Sequence, residues 1–381
     1  MSYVPVVALL NPTLEGLEKI VVFLIMISVV ILLHEAGHFI VARRTGVRVN
    51  DFALGFGPTL VKWTSPRSGT NYRINLLPIG GYCAMKGEDN KSSEAEQQRH
   101  FLEAHVPESD NFQAKSTWQR LAIILAGPIS NFVLAFVILF VAAVGFGIAS
   151  DKMSARVGPL SDGWPAKQAG LQVGDTILEI DGVAYHEGDA IVKKIHASVG
   201  IPLRFTILHQ RIERTLTITP RADKGPDGKI VGRIGYIPIA EPRRVGPVEA
   251  VGLAWGNLWF VLRANAAGLA ALVVHPSNLS NVQGVIGMER AASAFQDLGW
   301  GLYLQLAAQI SVALGILNLL PIPALDGGRA MFIIFEMIRG RPVDPEREAL
   351  VHFTGFAFLM VLIVLVAYHD ITNIISGKGV F

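Results

Sequence analysis

Leu33-His34-Glu35-Ala36-Gly37-His38 decides how this chain is read, because it sets two imidazoles and a carboxylate at the end of a strongly apolar run. On an α-helix, residues four apart share a face. His34 and His38 can therefore offer nitrogens to one metal ion, while Glu35, next to His34, can reach a water held there. A helix carrying two hydrogen-bonded histidines is the plainer alternative. Position argues against it, since ionisable side chains inside a membrane-length apolar segment are costly and mark functional sites.

Working outward, the 381 residues are 51% hydrophobic and only 17% charged, with a mean hydropathy of +0.42. The apolar residues gather in runs, so the expected class is a multi-pass α-helical membrane protein with a soluble insertion. A net charge of +2 gives no sign of a nucleic-acid partner. Cys83 is the single cysteine, which excludes an internal disulfide. The first ten residues lack the basic region of a secretory signal, so the first apolar helix is expected to be retained.

That first span is expected over residues 17–42. Arg43, Arg44 and Arg48 follow it and assign its far end to the cytoplasm by the positive-inside rule. Residues 49–86 read as a β-hairpin punctuated by glycine and proline, with alternation in Asn71-Tyr72-Arg73-Ile74-Asn75-Leu76. So near the histidine helix, it can be a surface hairpin or can dip into the bilayer with its backbone covered. Residues 87–115 form a polar cytoplasmic segment. A second span runs outward over 121–148, and its Ala126-Gly127-Pro128-Ile129-Ser130-Asn131 suits close helix packing.

From 151 to 241 the composition is that of a soluble domain. Pro165 to Leu171 reads as a helix closed by glycine, Thr176 to Gly182 as a strand ending in an Asp-Gly turn, with strands at Leu203–Leu208 and Thr215–Ile218 and a short helix at Asp189–Ala197. The run Ala169-Gly170-Leu171-x-x-Gly174-Asp175-x-Ile177-x-x-Ile180-Asp181-Gly182 resembles a PDZ domain of the bacterial protease-associated type. By that resemblance, Gly232 to Ile237 borders a groove where a peptide or a terminal carboxylate adds as a strand.

Residues 248–274 are apolar but carry Asn257, Arg263 and Asn265. Were they to cross, Arg329, Arg339, Arg341 and Arg347 would fall outside the cell, so the segment is read as an interfacial amphipathic helix, followed by a linker at 278–289. A third span over 301–320 ends in Asn318-Leu319-Leu320-Pro321-Ile322-Pro323-Ala324-Leu325-Asp326-Gly327-Gly328, where prolines and glycines break the helix at the depth of His34. Asp326 is there the natural third metal ligand, the alternative being an ordinary Asp-Gly turn. A last span covers 350–368. The domains are thus a membrane half at 1–150, the PDZ insertion at 151–241, the interfacial helix and linker at 242–300, and a second membrane half at 301–381.

His-Glu-x-x-His in the first span, Gly-Pro-x-x-Asn in the second, a PDZ insertion and Asn-x-x-Pro-x-Pro-x-Leu-Asp-Gly in the third together resemble the site-2 protease family of intramembrane zinc metalloproteases, in its bacterial regulator-of-sigma-E branch. The likeness covers nearly the whole chain, with one departure: a single PDZ domain where the best-known enterobacterial members carry two. It implies Zn²⁺ held by His34, His38 and Asp326, Glu35 as acid and base, and Asn318 hydrogen-bonded to the substrate backbone or its oxyanion. It further implies a single-pass transmembrane substrate already clipped once, typically an anti-sigma factor. The enzyme would lie in the lipid bilayer of the bacterial inner membrane, its active site toward the cytoplasm and its PDZ domain in the periplasm. A non-catalytic membrane adaptor presenting the PDZ groove, and a metal-ion transporter, are the competing classes.

Overall fold

The histidine motif lies on α1 (Leu14–Arg44) of the computed structural model, which describes residues 14–88, 109–161, 163–209, 211–224, 228–274 and 284–375. Four described helices are long and apolar enough to cross a membrane: Gly16–Arg44 of α1, α2 (Thr117–Phe146), a later helix at Trp300–Leu319, and Glu346–Thr372. These are the four segments expected from the hydropathy pattern. The helix over 247–274 is not one of them.

The chain divides into two compact units, one of Met1–Leu139, Ala254–Asn281 and Ala307–Leu365, the other of Phe140–Leu253, Val282–Leu306 and Val366–Phe381. In the first, β1 (Val49–Thr64) pairs antiparallel with β2 (Asn71–Met85) as a hairpin. Both strands also fold back on themselves. Asp51, Phe52, Ala53 and Leu54 pair with Ala84, Cys83, Tyr82 and Gly81 on one side and with Asn71, Tyr72, Arg73 and Ile74 on the other, while Val61 to Thr64 take the far side of Ile74 to Asn71. A simple hairpin was expected, and four limbs are found. Glycine is the reason: Gly55 and Gly80 hold φ of +81° and +97°, and a β-carbon on Gly55 would sit 2.3 Å from the Leu77 carbonyl oxygen. Buried Asn75 then donates to the Gly55 carbonyl at 2.8 Å. The bend leaves Phe56, Leu60, Val61, Trp63, Leu76 and Leu77 exposed.

The sheet's inner end shares a core with both helices. Ala42, Val47, Val49, Cys83, Met85, Ile123 and Ile124 are buried together with Ala330 and Ile333. The last two belong to a later helix, Asp326–Arg339. Most of the polar stretch at 87–115 lies outside the described residues.

The second unit holds β3 (Ile148–Leu160), α3 (Pro165–Gln168), β4 (Thr176–Ile180), β5 (Val183–Ala184), α4 (Gly188–Ala197), β6 (Leu203–His209), β7 (Ile212–Ile218), β8 (Arg221–Lys224), β9 (Ile230–Arg233) and β10 (Tyr236–Arg243). One sheet runs β10-β3-β4-β6-β7, with β5 on β4, and β8 and β9 form a separate ribbon. Its core is apolar throughout, from Val157 and Leu171 to Phe205, Ile207 and Ile234. The Asp-Gly turn closes β4 onto β5 with Asp181 and Gly182 at φ 55° and 76°. Asp175 is buried and accepts from the Gln172 N–H at 2.8 Å and from His209 Nδ1 at 2.6 Å.

The remaining elements are α5 (Pro247–Val274), α6 (Val285–Leu298), α7 (Trp300–Leu319), α8 (Asp326–Arg339) and α9 (Pro345–Ile375). The segment read as a linker at 278–289 is helical from Val285 on; its first part, up to residue 283, lies outside the described residues. The buried Asp370 carboxylate accepts from the N–H groups of Gly284 at 3.3 Å and Gly287 at 3.0 Å and so caps that helix. α8 is a second difference. Where the sequence reads as a helix breaker after Pro323, a new helix starts at Asp326.

Candidate metal centre

Two glycines let the first two helices touch. A β-carbon on Gly37 would lie 2.3 Å from the Ala126 carbonyl oxygen, and one on Gly127 would lie 2.1 Å from His38 Nε2. α1 and α2 therefore cross backbone against backbone, the kind of approach that small residues permit within membranes. Ser130, one turn beyond Gly127, reinforces the crossing by donating its hydroxyl to the Leu33 carbonyl at 2.8 Å.

The same crossing sets the imidazoles. His38 Nδ1 lies 2.9 Å from the Ile123 carbonyl oxygen, which can only accept, so Nδ1 carries a hydrogen and in the neutral ring Nε2 keeps its lone pair. His34 Nδ1 lies 3.2 Å from the side-chain amide nitrogen of Asn131, a residue with no exposed surface whose amide oxygen is left without a partner in this orientation. The two ends of an amide have the same shape. With the amide oxygen toward His34, the oxygen accepts from Nδ1–H and Nε2 of His34 is likewise left bare. Asn131 is itself held by Ser311 of α7, whose hydroxyl donates to the Asn131 carbonyl at 2.8 Å.

Asp326 reaches this point from the start of α8. The chain leaves α7 at Leu319, turns through Pro321 and Pro323, and re-enters a helix so tightly that a β-carbon on Gly327 would sit 2.2 Å from the Leu320 carbonyl oxygen. The glycines that read as breakers permit the return. Asp326 Oδ2 then lies 3.1 Å from His34 Nε2 and 3.3 Å from His38 Nε2, and the two Nε2 atoms are 3.3 Å apart. Both histidines are buried and the carboxylate nearly so.

This triangle fits a zinc ion. Ligand atoms about 2.0–2.1 Å from a tetrahedral zinc stand about 3.3 Å from one another. Asp326 Oδ2 is buried and meets hydrogen-bonding geometry with neither imidazole, and with both rings neutral and their Nε2 atoms bare three electron pairs face one another, an arrangement that a shared cation relieves. Among the described residues this is the one group of three His, Cys, Asp or Glu side chains whose ligand atoms lie within 4.8 Å of one another.

Glu35 stands beside the triangle, half-buried. It faces the innermost limb of the sheet: a β-carbon on Gly81 would lie 3.3 Å from Glu35 Cγ. Asn318 is placed differently. Its amide donates to the Leu314 carbonyl of its own helix at 3.1 Å, and its place is on α7 rather than among the three ligand atoms. The residue that does touch a histidine, Asn131, entered the sequence reading as the Asn of the Gly-Pro-x-x-Asn segment, with helix packing as its role and no contact to the histidines assigned.

A model of peptidase family M50 matches residues 22–362. A zinc metalloprotease RasP from Geobacillus kaustophilus is 31% identical over 94% of this chain and 98% of its own length. A putative zinc metalloprotease of Rhizobium meliloti is 34% identical over 92% and 95%, and the regulator of sigma-W protease RasP of Bacillus subtilis is 30% identical over 94% and 99%. Among solved structures, the PDZ domain of an SdrC-like protein from Listeria monocytogenes, 25% identical, covers 24% of this chain and 93% of its own, with a TM-score of 0.20.

Proposed function

Because the chain belongs to peptidase family M50 and is a membrane zinc metalloprotease of the site-2 type, we propose that it hydrolyses peptide bonds in or near the transmembrane segment of single-pass membrane proteins. The observation that carries this reading is the convergence of His34 and His38, on an apolar membrane-length helix, and Asp326, at the start of α8, on one point beside Glu35. His34 Nε2, His38 Nε2 and Asp326 Oδ2 would hold the zinc. When bound, it would polarise the scissile carbonyl and bring the pKa of a water to about 7.

The chain's own residues do the rest. Glu35, on the sheet side of the site, takes the water's proton and later delivers it to the leaving amine. A helical peptide bond has its carbonyl tied in the helix, so the substrate must be unwound before attack. The limb Gly81–Ala84, next to Glu35, can hold it extended by accepting it as an added strand. The exposed apolar tip of that sheet suits burial in the bilayer beside the site. Asn318, by family resemblance, hydrogen-bonds the substrate backbone or the developing oxyanion, and its amide has a second hydrogen beyond the one given to Leu314.

By the positive-inside rule, the arginines after α1 and those of α8 and its following loop favour a site toward the cytoplasm of a bacterial inner membrane and a periplasmic side for residues 151–241, read as a PDZ domain. Between α4 and Ile234–Pro238 of that domain lies a groove of about 370 Å³ lined by Trp164, Ile195, His196 and Tyr236, suited to an extended peptide. An anti-sigma factor already cut once is the substrate class implied. Glu35→Gln tests the chemistry: the purified variant should retain zinc yet fail to cleave a single-span model substrate. Undiminished cleavage would discard the assignment.

A further inference from the structure

The loop that presents Asp326 contains a backbone conformation its residue does not favour. Ala324 holds φ +76°, in the left-handed region where a β-carbon crowds the following carbonyl. Among the described residues only Asp181 and Arg211 are the other non-glycines there. Asp181 sits in an Asp-Gly turn that suits it. An alanine at such a position persists only when its surroundings impose it.

The surroundings are α9. The Ala324 N–H donates to His352 Nδ1 at 2.9 Å, and a β-carbon on Gly355 would come within 2.4 Å of Pro323 Cβ. Residues 352 and 355 share one face of α9, so one helical turn both grips the Ala324 amide and lets Pro323 lie against bare backbone. The bond also fixes the ring. Nδ1 accepts, which places the hydrogen on Nε2, and that nitrogen looks toward Glu348 at 3.9 Å. The His352 ring further packs on Phe332 of α8 at 5.4 Å between centroids. The last spanning helix is thereby fastened to both sides of Asp326, which follows Ala324 by two residues.

We propose that His352 is a positioning residue for the metal centre: by accepting the Ala324 N–H it holds the left-handed turn that aims the Asp326 carboxylate at His34 and His38. This rests on the zinc site proposed above. His352 touches neither substrate nor the reacting atoms. Its contribution is to pre-pay the unfavourable turn, so that the carboxylate is in place before the ion arrives.

Zinc affinity of the full-length protein in detergent, measured by competition with a chromophoric chelator, tests this apart from catalysis. His352→Gln keeps an acceptor oxygen and should bind zinc within about threefold of the unaltered protein, whereas His352→Met, of similar length without a comparable acceptor, should bind roughly 10–100-fold more weakly. Ala324→Gly removes the conformational penalty that the bond offsets. The double variant His352→Met/Ala324→Gly should therefore lose markedly less than the two single effects combined. Equal affinities for the Gln and Met variants, or strict additivity with Ala324→Gly, would overturn the proposal. Absence of zinc binding by the unaltered protein would instead bring down the metal site itself.

Discussion

At the scale of single residues, the site depends on which nitrogen of each imidazole carries hydrogen. His38 takes its answer from the backbone at Ile123, which no substitution can delete, but His34 takes its answer from the Asn131 side chain. Asn131→Leu keeps the branching of the side chain and removes the acceptor, leaving Nδ1–H of His34 buried without a partner. Zinc affinity should fall about 10–100-fold, as when other partners of metal-bound histidines are lost. Asn131→Asp, which keeps an acceptor oxygen, should lose less. Chelator competition on the folded variants measures both, and an Asn131→Leu protein with unchanged affinity would show that Asn131 merely packs. The sequence shows why this residue is hard to read. His34 and His38 declare themselves by spacing, whereas Asn131 acquires meaning only from the helix opposite it, and a single span does not say which face meets which neighbour.

At the scale of elements, the crossing of α1 and α2 is the joint on which the histidines turn. Gly127→Ala would put a methyl group 2.1 Å from His38 Nε2, with the ring already fixed on its other side by Ile123. The helices must part or the imidazole must leave, so overpacking of about 1–3 kcal/mol is expected together with lost zinc binding. Gly145, on the same helix with no atom within 4 Å of its β-carbon position, supplies the contrast. Gly145→Ala should leave both melting temperature and metal content unchanged. If the two alanine variants behave alike, the close crossing does not set the site. Glycine also accounts for what sequence reading expected wrongly among the elements. The alternation in residues 71–76 identified a strand, but the fold-back into four limbs depends on Gly55 and Gly80 at positive φ, which alternation does not report. Gly327 and Gly328 look like the end of a helix by propensity, yet α8 begins there because only hydrogen fits against the carbonyls of Leu320 and Ile322. In both places close approach overrules local preference.

At the scale of the whole molecule, the spans were legible because hydropathy over a membrane-length window is a sum of many side chains and survives local exceptions. Residues 248–274 were set apart from the spans by sidedness; the helix there is not among the four candidates, which stand on length and composition alone. Residues far apart in the chain nonetheless converge on one point, and the zinc proposed there predicts how the fold responds to metal. An unfolded chain does not hold His34, His38 and Asp326 together, so zinc binds the native state in preference and stabilises it by mass action. At free zinc of about 100 times Kd the gain is about 2.7 kcal/mol. Stripping the detergent-solubilised protein with chelator should therefore lower its melting temperature by several degrees, and graded return of zinc should raise it with the logarithm of free metal. In Asp326→Ala the dependence should shrink sharply, because the carboxylate that balances the ion's charge is gone and only two imidazoles remain. A melting temperature indifferent to chelator in the unaltered protein would mean that no ion ties α1 to the start of α8, and one equally responsive in Asp326→Ala would place the metal elsewhere.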